Sequence, residues 1–177
     1  MLFFKEIYHK DNLNPEGRIL IREAVRGIII KGRKLLMIFS SKNGDYKFPG
    51  GGVEDGETYE ESLRREIKEE CGALVSQIKG RIGKVIEFNK PFEEEYDVFK
   101  MTSYYYRCKV EEKYCEQNLD QYEKELDFKP VWIDIALALE NNRAIMNSNL
   151  NKAPRWTKRD TFVLEQIKIK FEGVGKL

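Results

Sequence analysis

Gly50-Gly51-Gly52-Val53-Glu54-Asp55-Gly56-Glu57-Thr58-Tyr59-Glu60-Glu61-Ser62-Leu63-Arg64-Arg65-Glu66-Ile67-Lys68-Glu69-Glu70-Cys71-Gly72 joins a glycine loop, a second tight turn and one short acidic helix. Thr58 suits an N-cap, and Glu61 three residues on completes a capping box. Gly72 stands where a helix takes its left-handed C′ residue, so the spacing predicts a helix from about Tyr59 to Cys71. At about 100° per residue, Tyr59, Leu63, Ile67 and Cys71 make one apolar stripe suited to packing on a sheet. Glu66 and Glu70, one turn apart, project close to Tyr59 and Leu63, and Glu69 lies a step further round that flank. Three carboxylates therefore crowd the margin of the buried face. Like charges at i,i+4 cost roughly 0.2–0.5 kcal/mol per pair, and partial burial adds to that. A divalent cation reverses the sign, because a cluster of hard oxygen ligands is what Mg²⁺ or Mn²⁺ requires. The ordinary reading of an acidic run, a solvated charged helix, accounts for Arg64 and Lys68 on the opposite side. It does not account for glutamates beside the apolar stripe.

The glycines gain weight from their place between a strand-like segment and this helix. Without side chains, Gly50, Gly51 and Gly52 let backbone N–H groups come close to a phosphate or a metal-bound water, and they permit positive φ.

The pattern Gly51, five residues, Glu57, seven residues, then Arg65-Glu66-Ile67-Lys68-Glu69-Glu70-Cys71-Gly72-Ala73 resembles the signature box of the Nudix hydrolases. Every glycine and charged position of the box is present; only Ala73 departs, standing where the family usually has a bulky aliphatic. A gapped pattern with this many fixed positions is far more specific than a lone glycine motif. The resemblance implies an α/β fold, a Nudix-type α/β/α sandwich with a mixed β-sheet, in one domain over residues 1–177. It implies hydrolysis of the diphosphate linkage in a nucleoside diphosphate derivative, with Mg²⁺, or alternatively Mn²⁺, as cofactor. Residue by residue, Glu66, Glu69 and Glu70 match the family's metal-binding and catalytic positions. Arg65 matches the arginine that orients those carboxylates, and Glu57 the structural partner of that arginine. Glu66 is the first choice for general base; Glu93, Glu94, Glu95 and Glu111 are further candidates, each of which reads more simply as solvated surface charge. The implied partner is a small-molecule nucleotide, and a homodimer is left open because the family often forms one.

Two other readings belong to the same family. A module that only senses a nucleotide sugar has no need of the intact set of glutamates. An enzyme acting on RNA 5′ ends is disfavoured by a net charge of +1, since nucleic-acid affinity comes largely from neutralised phosphates. No segment approaches the roughly 20 apolar residues needed to span a bilayer, and the start of the chain lacks the pattern of a signal peptide. Three cysteines at unrelated spacings, Cys71, Cys108 and Cys115, read as free thiols, and a cytoplasmic location is expected. The single histidine, His9, rules out a His-rich zinc site and reads as an ordinary surface residue.

Flanking segments agree with the fold that the box implies. Phe3 to His9, Ile19 to Ile30, Lys34 to Ser40 and Tyr46 to Pro49 read as strands leading into the glycines, with turn chemistry at Ser41-Lys42-Asn43-Gly44-Asp45. After the box, Val75 to Phe88 is strand-like with a bulge or bend at Gly80 and Gly83. Asn89 to Asp97 is an acidic loop, Phe99 to Val110 a long aromatic-rich strand, and Glu111 to Lys124 a loop or frayed hairpin. Asp127 to Asp134 forms a last strand, Ile135 to Asn142 a short helix capped by Asp134, and Lys158 to about Phe171 a closing helix with Phe162, Val163, Ile167 and Phe171 at helical spacing. Tyr104, Tyr105, Tyr106 and Trp156 could stack a base, although aromatics on such elements more often fill a core. Lys152, Arg155, Lys158 and Arg159 form a local basic patch that could meet phosphates, although a solvated helix start is the simpler reading. Pro91 stands near the distance at which some Nudix subfamilies carry an extra proline, and assigns no substrate.

Overall fold

The computed structural model describes residues 1–148 and 153–173. Long apolar strands cannot be left bare on either face, and here helices cover both. The strands are β1 (Phe3–Tyr8), β2 (Ile19–Lys31), β3 (Lys34–Ser40), β4 (Asp45–Lys47), β5 (Ala73–Asn89), β6 (Val98–Tyr114) and β7 (Phe128–Asp134). The helices are α1 (Tyr59–Cys71), α2 (Gln121–Glu125), α3 (Ile135–Ser148) and α4 (Arg155–Gly173).

The strands form one mixed sheet in the order β1-β5-β6-β2-β3-β4, with β7 also pairing β3. β1 runs parallel to β5 and β2 parallel to β6, while β5 and β6 are antiparallel. The register of β5 against β6 shifts between Ile78 and Gly80 and again between Arg81 and Gly83, where the glycines predicted a bulge. Along β2 the side chains alternate between two cores. Val25 and Ile29 pack with Leu63, Ile67 and Cys71 of α1, whereas Ile28 packs with Ile135 and Leu139 of α3 and Leu164 and Ile167 of α4. That is why Gly27-Ile28-Ile29-Ile30 is continuously apolar: a strand covered on both faces has no solvent side to leave polar. The result is an α/β/α sandwich with a mixed sheet.

α1 keeps the predicted bounds. Thr58 and Glu61 form the reciprocal capping box, and Gly72 takes the left-handed cap at φ 65°. The following segment differs from expectation. β6 runs on to Tyr114, opposite Ala73, and residues 121–125 form α2 under an Asp120–Glu123 capping box. No residue of α2 is buried, so no apolar stripe announces it. α3 also extends beyond Asn142 to Ser148, with Arg143 paired to Glu165 of α4 at 2.6 Å. α4 begins at Arg155, earlier than its apolar spacing implies, because Thr157 is anchored by Asp45 at 2.6 Å. Lys152 and the side chain of Phe171 lie outside the described residues. Among the described residues, no helix is long and apolar enough to cross a membrane.

Candidate functional site

The glycine loop reaches the helix by running beside β2. Gly27 donates to the Pro49 carbonyl at 2.8 Å, Val25 to the Gly51 carbonyl at 3.0 Å, and Val53 to the Glu23 carbonyl at 3.0 Å. Gly50 is required by this close passage, and Gly51 leaves room for a glutamate. Gly50 sits at φ 133°, and a Cβ there would lie 2.1 Å from the Val25 carbonyl oxygen. A Cβ on Gly51 would lie 2.3 Å from the Glu66 carboxylate. The loop is thus cut to the shape of the carboxylates that face it.

Those carboxylates are held individually. Glu70 is 1% exposed; it accepts from Lys47 Nζ at 2.5 Å and from the Gly50 N–H at 2.6 Å. Gly50 therefore spends its N–H on seating a glutamate. Arg65 grips Glu57 with both arms of its fork, Nε to Oε1 at 2.7 Å and Nη2 to Oε2 at 2.8 Å. Its Nη1 reaches Glu66 at 2.8 Å and Glu69 at 3.2 Å. A planar fork can serve three carboxylates at once where an ammonium cannot. The hydrogen bonds from Arg65 pull the Glu57 carboxyl down to about 2. Glu66 moves the other way, raised first by burial and then by the charge of Glu70, against the pull of Arg65.

The C-terminal end of α1 is closed by the chain after β6. Cys115 donates to the Gly72 carbonyl at 2.7 Å, Asn118 to the Glu69 carbonyl at 2.9 Å, and Gln117 Nε2 to the Glu70 carbonyl at 2.6 Å. Carbonyls that a helix end leaves without partners are satisfied here by a loop that also walls the cleft. The N-terminal end is clipped to the sheet by Glu23, which accepts from Tyr59 at 2.5 Å and from Tyr104 at 2.9 Å.

A cleft of about 690 Å³ results. Glu66, Glu69 and Glu70 line it together, with Arg65 and Gly50, Gly51 and Gly52. The predicted residues thus meet in one place, except that Glu57 supports the cleft from behind Arg65 without lining it. Glu93, Glu94, Glu95 and Glu111 do not line it and are exposed. Groups that sequence reasoning missed do, among them Arg22 and Arg26 from β2, Lys47 from β4 and Glu123 from α2. Partial burial, and then the charge of Glu70, pushes the Glu123 carboxyl up to about 7.

The donor set suits a hard divalent cation: carboxylates only, crowded enough that one of them is raised by its neighbour. As they stand, Lys47 and Arg65 engage these oxygens, and among the described residues no group of three His, Cys, Asp or Glu side chains is gathered closely enough to hold an ion.

Other expectations resolve differently. His9 is half-buried, its Nε2 2.9 Å from Glu87 Oε1. Arg159 is buried, paired to Asp160 at 2.8 Å and to Glu87 at 3.1 Å. Neither is a plain surface residue; partners far along the chain enclose them. Arg155 and Lys158 are exposed, as a solvated helix start requires. Tyr105 and Tyr106 are core residues, Tyr105 donating to Asp160 at 2.8 Å. Trp156 donates to Asp45 at 2.8 Å and lines a second cavity that adjoins the cleft.

A model of the NUDIX domain matches residues 20–153. Over 63 residues the chain is 49% identical to an ADP-ribose pyrophosphatase from Methanocaldococcus jannaschii, a match covering 34% of this chain and 37% of that protein. The matched stretch thus spans little more than a third of that relative's length. Among solved structures, a NUDIX hydrolase from Nitrosomonas europaea superposes with a TM-score of 0.56 at 16% identity, covering 87% of this chain and 90% of that one. An ADP compounds hydrolase superposes with a TM-score of 0.54 at 18% identity, covering 88% and 76% respectively. At these identities the structural likeness establishes the fold.

Proposed function

The chain belongs to the NUDIX family, and from that premise we propose that it hydrolyses the diphosphate linkage of a nucleoside diphosphate derivative in a Mg²⁺-dependent reaction, as one domain over residues 1–177. The observation that carries this is the meeting of Glu66, Glu69 and Glu70 in one cleft that Arg22, Arg26 and Lys47 also line. Carboxylates and cations lining one cleft suit a ligand that is itself anionic and bridged by a cation.

Glu66, Glu69 and Glu70 would hold the metal, which when bound neutralises phosphate charge, orients the substrate and makes an attacking water more acidic. Glu66 is the residue assigned to accept the proton of that water. Arg65 keeps Glu66 and Glu69 turned toward the cleft, with Glu57 fixing Arg65. Gly51 and Gly52 leave room for a phosphate beside the backbone, while Gly50 seats Glu70. The name of the Methanocaldococcus jannaschii relative makes ADP-ribose the first substrate to try. Free thiols at Cys71, Cys108 and Cys115 support a cytoplasmic setting.

The test is product release with Mg²⁺ from ADP-ribose, other nucleotide sugars, dinucleoside polyphosphates and the nucleoside triphosphates. Release of a nucleoside monophosphate from at least one member, abolished by EDTA, is expected. No turnover across the whole set refutes the proposal.

A further inference from the structure

The cleft does not end at the carboxylate wall. It adjoins a cavity of about 280 Å³ whose lining includes Asn89, Phe99, Arg155 and Trp156. Arg22, Arg26, Lys47 and Met101 line both spaces and so form the neck between them. The three cations of this neck differ in their engagement. Lys47 is bound to Glu70 and Arg22 is exposed. Arg26 is 8% exposed, its Nε is buried with no hydrogen-bond partner, and it forms no ion pair among the described residues. Burial, and then the nearby charge of Arg159, pulls this guanidinium below its ordinary range, against the opposing charges of Asp160 and Glu70. A buried cation without a partner is costly to a fold, and β2 offers an apolar strand on which an aliphatic side chain would sit at no such cost.

We propose that the Arg26 guanidinium, buried without a partner at the neck between the two cavities, is a binding site for a phosphoryl group of the substrate. The ligand class follows from the chemistry. A guanidinium pairs with two non-bridging phosphoryl oxygens in bidentate geometry, and the neck sets it between the carboxylate wall and the aromatic cavity. A diphosphate derivative then spans the neck, with its anhydride beside Glu66, Glu69 and Glu70 and one organic half beside Phe99 and Trp156. Asp160 and Glu70 offset part of that charge without a hydrogen bond, and the ligand would supply the direct partner that the guanidinium lacks. This inference rests on the pyrophosphohydrolase reading but concerns a different group and a step that needs no metal.

The experiment uses inorganic pyrophosphate as probe, in EDTA, with calorimetric titration of the wild type, Arg26→Met and Arg26→Lys. Wild type binds, Arg26→Met weakens binding roughly 10- to 100-fold, the scale of losing a charge-assisted hydrogen-bonded pair, and Arg26→Lys recovers part of the loss. Circular dichroism of Arg26→Met without ligand shows a folded chain, so the loss of affinity is read on the native structure. Absence of pyrophosphate binding in wild type, or affinity in Arg26→Met within twofold of wild type, overturns the inference. A chain that binds pyrophosphate through Arg26 yet hydrolyses nothing refutes the hydrolase reading alone. A hydrolase whose Arg26→Met variant keeps its pyrophosphate affinity refutes this inference alone.

Discussion

Replacing Lys47 with methionine removes the counter-charge of a carboxylate that is 1% exposed and leaves the apolar stem in place. Lys47 Nζ is 2.5 Å from Glu70 Oε1, and among the described residues the only other hydrogen bond to that carboxylate comes from the Gly50 N–H at 2.6 Å. Breaking a buried pair by removing one partner costs about 3–5 kcal/mol. The penalty has a ceiling, because the stranded group can take up a proton: for an ordinary glutamate that is about 3.7 kcal/mol at pH 7 and about 1.6 kcal/mol at pH 5.5. The expected loss is therefore about 3 kcal/mol at pH 7 and roughly half that at pH 5.5, or a fall in Tm of about 6–12 °C at the higher pH for a domain of this size. Saturating Mg²⁺ adds a second signature. A cation at the carboxylates replaces the lost ammonium, so it should raise the Tm of Lys47→Met more than that of wild type. The assay is thermal unfolding followed by circular dichroism, with EDTA or Mg²⁺, at both pH values. A loss that does not depend on pH, or equal Mg²⁺ shifts in the two proteins, would refute the reasoning.

Two further substitutions probe the same wall. Arg65→Lys keeps the charge but loses the double grip on Glu57 and the reach to Glu66 and Glu69. It should cost roughly 1.5–3 kcal/mol in denaturant unfolding and lower kcat about 100-fold with KM little changed, since misplaced catalytic groups are expensive; unchanged kcat would contradict the orienting role. Glu123→Gln tests the raised carboxyl on α2. Its folded pKa of about 7 lies above the usual 4.5, so the folded chain binds this proton more tightly than the unfolded one. The stability it contributes is present below pH 4.5 and is lost as pH rises through 7. In EDTA the variant should match wild type at pH 4 and melt above it at pH 8; a difference constant across pH would sink the assignment.

What could be read from the residues follows how local the physics is. The bounds of α1 come from Thr58, Glu61 and Gly72, all within its own turns, and its buried stripe from its own period. The gathering of Glu66, Glu69 and Glu70 is visible for the same reason. Arg26 went unremarked, although one charge inside Ala24-Val25-Arg26-Gly27-Ile28-Ile29-Ile30 breaks a strand buried on both faces. That signal was available, and the burial of its neighbours gives it meaning. Lys47 as the partner of Glu70, and the 115–120 loop as the closure of α1, were not legible. Each depends on chain segments that only the sheet brings together, 23 residues apart for the pair and 43 or more for the loop. His9 and Arg159 looked solvated for a related reason, since Glu87 meets them from 78 and 72 residues away.

The most direct test of the central claim is turnover of the best diphosphate substrate by wild type and Glu69→Gln, each with Mg²⁺ and with EDTA, alongside circular dichroism to confirm folding. The account predicts hydrolysis by wild type only with metal, and a loss of about 100-fold or more in the folded Glu69→Gln variant. Wild-type turnover in EDTA, or by Glu69→Gln with Mg²⁺, would contradict it.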